Sequence, residues 1–255
     1  RRVASSADGT KLVAVAEEGQ IYTSTDSGAN WTARESDRAW ETIASSADGT
    51  KLVAAGGQIY TSTDSGVSWT ARMTDANRSW QSVASSSDGT KLVAVAYLGQ
   101  IYTSTDSGAT WTAREDNRQW ASVASSADGT KLVAVVEIGQ IHTSTDSGVT
   151  WNAREISRGW VTVASSSDGT KLVAAVQGGQ LYISTDSGVT WTARDTNRLW
   201  GSVASSSDGT KLVAAVPGDQ IYVSTDSGLT WTAHENSRNW LSVASSSDGT
   251  KLVAA

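Results

Sequence analysis

The residues with chemical capacity come in sets of six. One aspartate recurs in the string S-T-D-S-G-x-x-W, at Asp26, Asp64, Asp106, Asp146, Asp186 and Asp226. An arginine stands two residues before a tryptophan in the pairs Arg38 and Trp40, Arg78 and Trp80, Arg118 and Trp120, Arg158 and Trp160, Arg198 and Trp200, and Arg238 and Trp240. Carboxylates catalyse glycoside hydrolysis only when two acids of different character meet at one place. Six equivalent aspartates in equivalent turns do not meet that condition, and each can instead accept hydrogen bonds from the backbone of its own turn. An Arg-x-Trp pair can hold a sugar or an anion, the indole stacking on a pyranose and the guanidinium forking to hydroxyls or carboxylates. The same pair can equally wedge its indole between packed elements while the arginine stacks on it or pairs with a nearby acid. Tyr22, Tyr60, Tyr102, Tyr182 and Tyr222 share one place with His142, so no tyrosine is singled out. His142 and His234 lack the acidic or thiolate companions of a closed metal site. With no cysteine, thiolate nucleophiles and disulfides are excluded, and no phosphate loop, G-x-S-x-G, H-E-x-x-H or EF-hand loop occurs. No metal, cofactor or catalytic residue is therefore assigned.

The elements that must position these sets are repeats. A-S-S-x-D-G-T-K-L-V-A starts at Ala4, Ala44, Ala84, Ala124, Ala164, Ala204 and Ala244, always forty residues apart, so it occurs seven times against six copies of the aspartate string. Each unit predicts four short strands joined by tight turns, as in Trp40 to Ser46, Lys51 to Ala55, Gln58 to Thr63 and Ser68 to Arg72. The second strand does not alternate and should be covered on both faces. Four-stranded antiparallel units of this length make an all-β fold, a β-propeller of one domain over 1–255. The repeats run 1–39, 40–79, 80–119, 120–159, 160–199 and 200–239, followed by a two-stranded half-blade over 240–255. Seven blades with the last incomplete are expected, or six with a surplus hairpin; a β-solenoid is the structural alternative.

At S-T-D-S-G-x-x-W the chain resembles the Asp-box, or BNR-like, repeat of propellers, carried by sialidases, sortilin-type receptors and a photosystem assembly factor. The near-identical units resemble recently amplified propellers. The resemblance implies that the box sits on the hairpin before the outermost strand. It raises a sialidase-like glycosidase reading, but no separate arginine triad or tyrosine–glutamate pair stands out from the repeats.

Comparing the six copies separates fixed from free positions. The S-S-x-D-G-T and S-T-D-S-G turns barely change and emerge at one end of the propeller. The other end holds the differences, among them Tyr97, Leu98 and Ile138 between second and third strands, and Leu199 and Leu241 flanking the second tryptophan. Propellers bind where such loops gather. The expected function is a non-catalytic recognition or scaffold module that binds a protein or a glycan there. A multivalent lectin using the Arg-x-Trp pairs, and a filament subunit or engineered scaffold that self-associates through the terminal half-blade, stay open. The Arg34, Arg72, Arg114, Arg154 and Arg194 series, broken by His234, is expected to guard a sheet edge. The net charge of -6 argues against nucleic acid, and no apolar run is long enough to insert in a membrane. The sequons at Asn30-Trp31-Thr32 and Asn77-Arg78-Ser79 leave an extracellular or cell-surface site and a bacterial cytoplasmic sensor both open.

Overall fold

A computed structural model describes residues 2–255. Among them every strand pairing is antiparallel and there is no helix. The chain packs as two compact units, Arg1–Trp120 with Ala127–Gly129, and Ala121–Ser126 with Thr130–Ala255. The first holds the first three repeats, and the second holds the next three with the terminal hairpin.

The first repeat is a sheet of Arg2–Ser5, Leu12–Val15, Gly19–Ser24 and Thr32–Arg38 in chain order, and the second repeats it with Thr42–Ser45, Leu52–Gly56, Gln58–Ser62 and Thr70–Arg72. Thr112–Ser125 then runs without a break from the outer strand of the third repeat to the inner strand of the fourth, so those strands count as one six-stranded sheet. In the fifth repeat Leu172–Ser184 passes through the expected loop and leaves a three-stranded sheet; the sixth has four strands and the hairpin two, Val243–Ser245 and Leu252–Ala254. The repeat count predicts seven blades, or six and a hairpin. The strands form five blade sheets and a two-stranded ribbon instead, because pairing continues through segments that read as loops.

Local chemistry explains each element. In the first turn Ser6 Oγ donates to Asp8 Oδ1 (2.6 Å) and accepts from Lys11 N (3.0 Å), while Thr10 N donates to Asp8 Oδ1 (3.0 Å). The second strand is buried on both faces, as its apolar run implies: Val53 and Ala54 point to opposite sides and both are buried. The fourth strand is tied to the third by Arg34 Nε donating to Thr23 Oγ1 (3.1 Å), and Arg72, Arg114 and Arg154 do the same to Thr61, Thr103 and Thr143. Ile183 replaces that threonine in the fifth repeat, and Arg194 Nε is left buried with no acceptor. In the sixth repeat both partners change, to Val223 and His234.

Apolar cores form between successive repeats. Val13, Val15 and Ile21 of the first repeat meet Trp40, Ile43, Leu52, Ala54 and Tyr60 of the second, and Val53, Ala55 and Ile59 meet Trp80 and Val83 in the same way. Backbone bridges cross the same seams from Ala7 N to Ala47 O (2.7 Å), Ala47 N to Ser87 O (2.8 Å) and Ser207 N to Ser247 O (2.8 Å). Lys11 Nζ donates to Asp48 O (3.0 Å), and its stem lies where a Cβ on Gly49 (φ 68°) would fall, 2.9 Å away.

Candidate functional site

The variable end is built from three parts that the forty-residue period places together. Glu35 in the fourth strand has φ of 56°, a left-handed conformation unusual for a side-chain-bearing residue, and its carbonyl accepts from Gln20 Nε2 (3.0 Å). Gln100 with Glu115, Gln140 with Glu155, Gln180 with Asp195 and Gln220 with Glu235 repeat the arrangement. The kink turns the acid toward the arginine three residues on: Glu35 to Arg38 is 3.8 Å, Glu155 to Arg158 3.7 Å and Asp195 to Arg198 3.4 Å. Met73 takes the kinked position in the second repeat, and Asp75 supplies the acid instead, 2.7 Å from Arg78. That contact holds the Asp75 carboxyl below the ordinary carboxylate range and raises the Arg78 guanidinium further.

Four of the arginines then lie over the tyrosine of the next repeat; the repeat after Arg118 has His142 at that place. Arg38 is 4.7 Å above the Tyr60 ring, Arg78 5.0 Å above Tyr102, Arg158 4.7 Å above Tyr182 and Arg198 4.1 Å above Tyr222. The tryptophan meets the same tyrosine edge-on, with centroids 5.1 Å apart for Trp40 and Tyr60 and 5.3 Å for Trp80 and Tyr102. Burial, with a hydrogen bond to Asp219, pushes the Tyr222 hydroxyl up. Trp40, Trp80, Trp120, Trp160 and Trp200 are fully buried, so none offers an open indole face to a sugar; of the two arrangements open to the Arg-x-Trp pairs, these five adopt the wedge. The arginine stacks mainly on the neighbouring tyrosine rather than on its own tryptophan. Trp240 differs: the hairpin carries no tyrosine, so Arg238 is exposed and lies 5.7 Å over Trp240 itself. Trp240 is half-buried and borders a groove of about 450 Å³ with Val213, Ile221, Val223 and Val253.

The remaining site candidates divide. Tyr97 is half-buried, pairs with Gln119 across the sheet and accepts from its Nε2 (3.2 Å). Leu98 beside it is 64% exposed with φ of 54°. In the second unit Ile138 is 76% exposed and Leu199 59%. Leu199 stands on strand-paired backbone opposite Gln177, Leu98 on the bulge between the paired residues Tyr97 and Gly99, and Ile138 in the tight turn between Leu132–Val136 and Gly139–Ser144. The glutamine-to-kink bond is not evident from the motifs alone. Its signal in the sequence is the invariant glutamine at 20, 58, 100, 140, 180 and 220.

The aspartates of S-T-D-S-G-x-x-W serve their own turns. Ser24 Oγ donates to Asp26 Oδ1 (2.8 Å) and accepts from Gly28 N (2.9 Å), Asn30 N donates to Asp26 Oδ1 (2.9 Å), and Trp31 Nε1 donates to Gly28 O (3.0 Å). The Asn30 backbone amide foremost, then its side-chain amide and Ser24, hold Asp26 at about 2. The Ser68 hydroxyl and amide do so for Asp64, and those of Thr150 for Asp146. Among the described residues no three His, Cys, Asp or Glu side chains are placed to share a metal ion.

Antiparallel sheets repeated every forty residues, with cores between repeats and a variable loop end, define the protein as an all-β propeller of BNR-type units. Solved propellers match most of the chain. YCF48 from Cyanidioschyzon merolae superposes with a TM-score of 0.75 at 17% identity, covering 99% of this chain and 90% of that one. YCF48 bound to D1 peptide gives 0.72 at 18% identity, with coverages of 94% and 85%. A Niastella koreensis GH74 enzyme gives 0.68 at 21% identity, covering 95% of this chain but 41% of that one. At such identities these likenesses establish the fold alone. The sequence model of photosynthesis system II assembly factor YCF48 matches residues 41–205, and the chain belongs to that family. No curated protein matches it in sequence.

Proposed function

We propose that residues 1–255 act as one non-catalytic propeller domain that binds a protein segment through its variable loop end. The observation that carries this is the exposure of three large apolar side chains at this end: Leu199 on a strand paired with Gln177, Leu98 on a bulge between paired residues, and Ile138 in a tight turn between two strands. Exposed apolar groups on rigid backbone bind with little ordering cost. The family adds support, since a YCF48 is known bound to D1 peptide. In this reading the S-T-D-S-G-x-x-W turns are Asp-boxes with a structural task. A carboxylate held at about 2, as Asp26 is, is a poor general acid at neutral pH. Arg38, Arg78, Arg158 and Arg198 serve as positive charges beside the apolar contacts, already oriented by the tyrosines beneath them.

Panning a peptide display library, with a D1 peptide included, tests the proposal. Leu98→Asp and Ile138→Asp, made separately, should each weaken the selected binders by roughly tenfold or more, the worth of one buried apolar side chain. Binders indifferent to both changes would place recognition elsewhere. A glycan array ligand lost on Trp80→Ala together with Arg78→Ala, with the fold retained, would favour a lectin instead.

A further inference from the structure

All but one of the aromatic side chains belong to the repeat. The 12 tryptophans fall in the aspartate string or after the arginine, and Tyr22, Tyr60, Tyr102, Tyr182 and Tyr222 fill one place, so of 6 tyrosines Tyr97 alone is an addition. It stands in the third repeat, at a position that holds Glu17, Glu137, Gln177 and Pro217 in four others. The sheet fixes it from both sides. Its amide donates to Ser79 O (2.7 Å), it pairs with Gln119, and its hydroxyl accepts from Gln119 Nε2 (3.2 Å). Gln81 Nε2 in turn donates to Ser79 Oγ (3.5 Å). Ser79, Tyr97 and Gln119 thus lie side by side on neighbouring segments of one sheet, with Gln81 next to them. The fifth repeat has Gly159, Val161, Gln177 and Leu199 at these four places.

The four side chains keep unused hydrogen-bonding capacity at the surface, since Ser79 is exposed and the other three are half-buried. The Tyr97 and Ser79 hydroxyls each accept one bond and retain a proton to donate, while each glutamine amide donates one and leaves its Oε1 and a second N–H for another partner. None of the four is charged. The neighbouring Arg78 is engaged by Asp75 (2.7 and 3.2 Å), Ala76 O (3.0 Å) and the Tyr102 hydroxyl (3.0 Å), and Arg118 has Asp116 beside it at 3.8 Å. A purely apolar ligand would cut the half-buried amides off from water without replacing their partners. A neutral pyranose suits both features, because its C–H face stacks on the phenol ring and its hydroxyls both donate and accept, as the amides do.

The geometry points to a neutral-sugar subsite on the third repeat, with Tyr97 as the stacking platform and Ser79, Gln81 and Gln119 as partners for hydroxyls. Unlike Trp80, Tyr97 is not fully buried. The subsite uses none of Leu98, Ile138 and Leu199, so it stands or falls apart from the binding of a protein segment. One ring and a few neutral hydrogen bonds give weak binding, with a Kd on the order of 1 mM.

Saturation-transfer-difference NMR titrations of the full chain test this, with cellotetraose, maltotetraose, mannotetraose and galactotetraose as probes and sialyllactose as the anionic comparison. At least one neutral sugar should bind saturably, with a Kd between about 0.1 and 10 mM. Tyr97→Gln introduces the residue that the fifth repeat carries at this place, and circular dichroism should show it folded. It should weaken that sugar by about tenfold or more. Tyr97→Phe keeps the ring and gives up one hydrogen bond, so its loss should be clearly smaller, about two- to fivefold. Gln177→Ala, at the matching place of the fifth repeat, should leave binding unchanged. Four results would each overturn the proposal: no neutral sugar bound at about 10 mM, binding that survives Tyr97→Gln, a Tyr97→Phe loss equal to that of Tyr97→Gln, or sialyllactose bound in preference to every neutral sugar.

Discussion

Trp80→Ala distinguishes a core indole from a ligand platform by its magnitude. The side chain is fully buried, meets Tyr102 edge-on at 5.3 Å and donates through Nε1 to Gly57 O at 3.1 Å. Truncating a buried tryptophan costs about 3–5 kcal/mol in transfer and cavity terms. The lost aromatic contact adds about 1 kcal/mol. The lost hydrogen bond adds less than about 1 kcal/mol, because Gly57 O still accepts from Arg78 N at 2.8 Å. The expected loss is about 5 kcal/mol, comparable to the whole stability of a marginal domain. Arg78→Ala is the control. It gives up a stack on Tyr102 worth about 0.5–1 kcal/mol and an ion pair to a mostly exposed Asp75 worth up to about 1 kcal/mol. Urea unfolding followed by far-ultraviolet circular dichroism, which does not depend on the deleted fluorophore, reads both. A Trp80→Ala loss below about 1 kcal/mol, or one equal to that of Arg78→Ala, would refute the core assignment.

Three further outcomes follow from the turns. Asp26, Asp64, Asp146 and Asp226 sit at about 2 when folded, below the unfolded value of about 3.9. Their contribution is therefore complete above about pH 4 and is lost as pH falls toward 2; urea midpoints should be flat from neutrality to about pH 4 and then decline, and a rise on acidification contradicts the assignment. Gly129→Ala should cost clearly more than Gly9→Ala, since both have positive φ (66° and 72°) but only Gly129 has a lysine stem 2.7 Å from the new Cβ; the backbone cost common to both is about 1–2 kcal/mol, and equal midpoints would remove the role of the lysine. Ser144→Ala should cost about 1–3 kcal/mol, because the buried hydroxyl links Gly148 N (2.9 Å) to Asp146 Oδ1 (2.8 Å); a thermal midpoint unchanged from the parent would contradict this.

Features decided within a few residues are legible in the sequence. The S-S-x-D-G-T and S-T-D-S-G turns declare themselves because their hydrogen bonds join groups two to five residues apart, and the double coverage of the second strand follows from Leu-Val-Ala having no polar side to show. Features decided across repeats are not legible in this way. Whether Thr112–Ser125 breaks depends on how far its pairing with the neighbouring strands persists, which the loop-like composition of Asp116-Asn117 conceals. The target of Arg38 is Tyr60, twenty-two residues on, where the sequence offers the adjacent Trp40 as the more obvious partner. The candidate residues at the variable end stand out in the sequence as a group, yet their division into the pinned Tyr97 and the free Leu98 rests on one hydrogen bond from Gln119.

The left-handed kink at Glu35, Glu115, Glu155, Asp195 and Glu235 has an evolutionary corollary. Its geometry is held by a glutamine side chain gripping a main-chain carbonyl, and a main-chain carbonyl is present whatever residue occupies the site. Leu98, Ile138 and Leu199 take no part in that grip, and neither do the acids' own side chains. Residues at this end can thus be rewritten, one repeat at a time, without reopening the question of how the chain folds. Natural selection for a partner and selection for stability act on separate letters of the same forty-residue word, which makes this scaffold a ready parent for laboratory libraries randomised at those exposed positions alone.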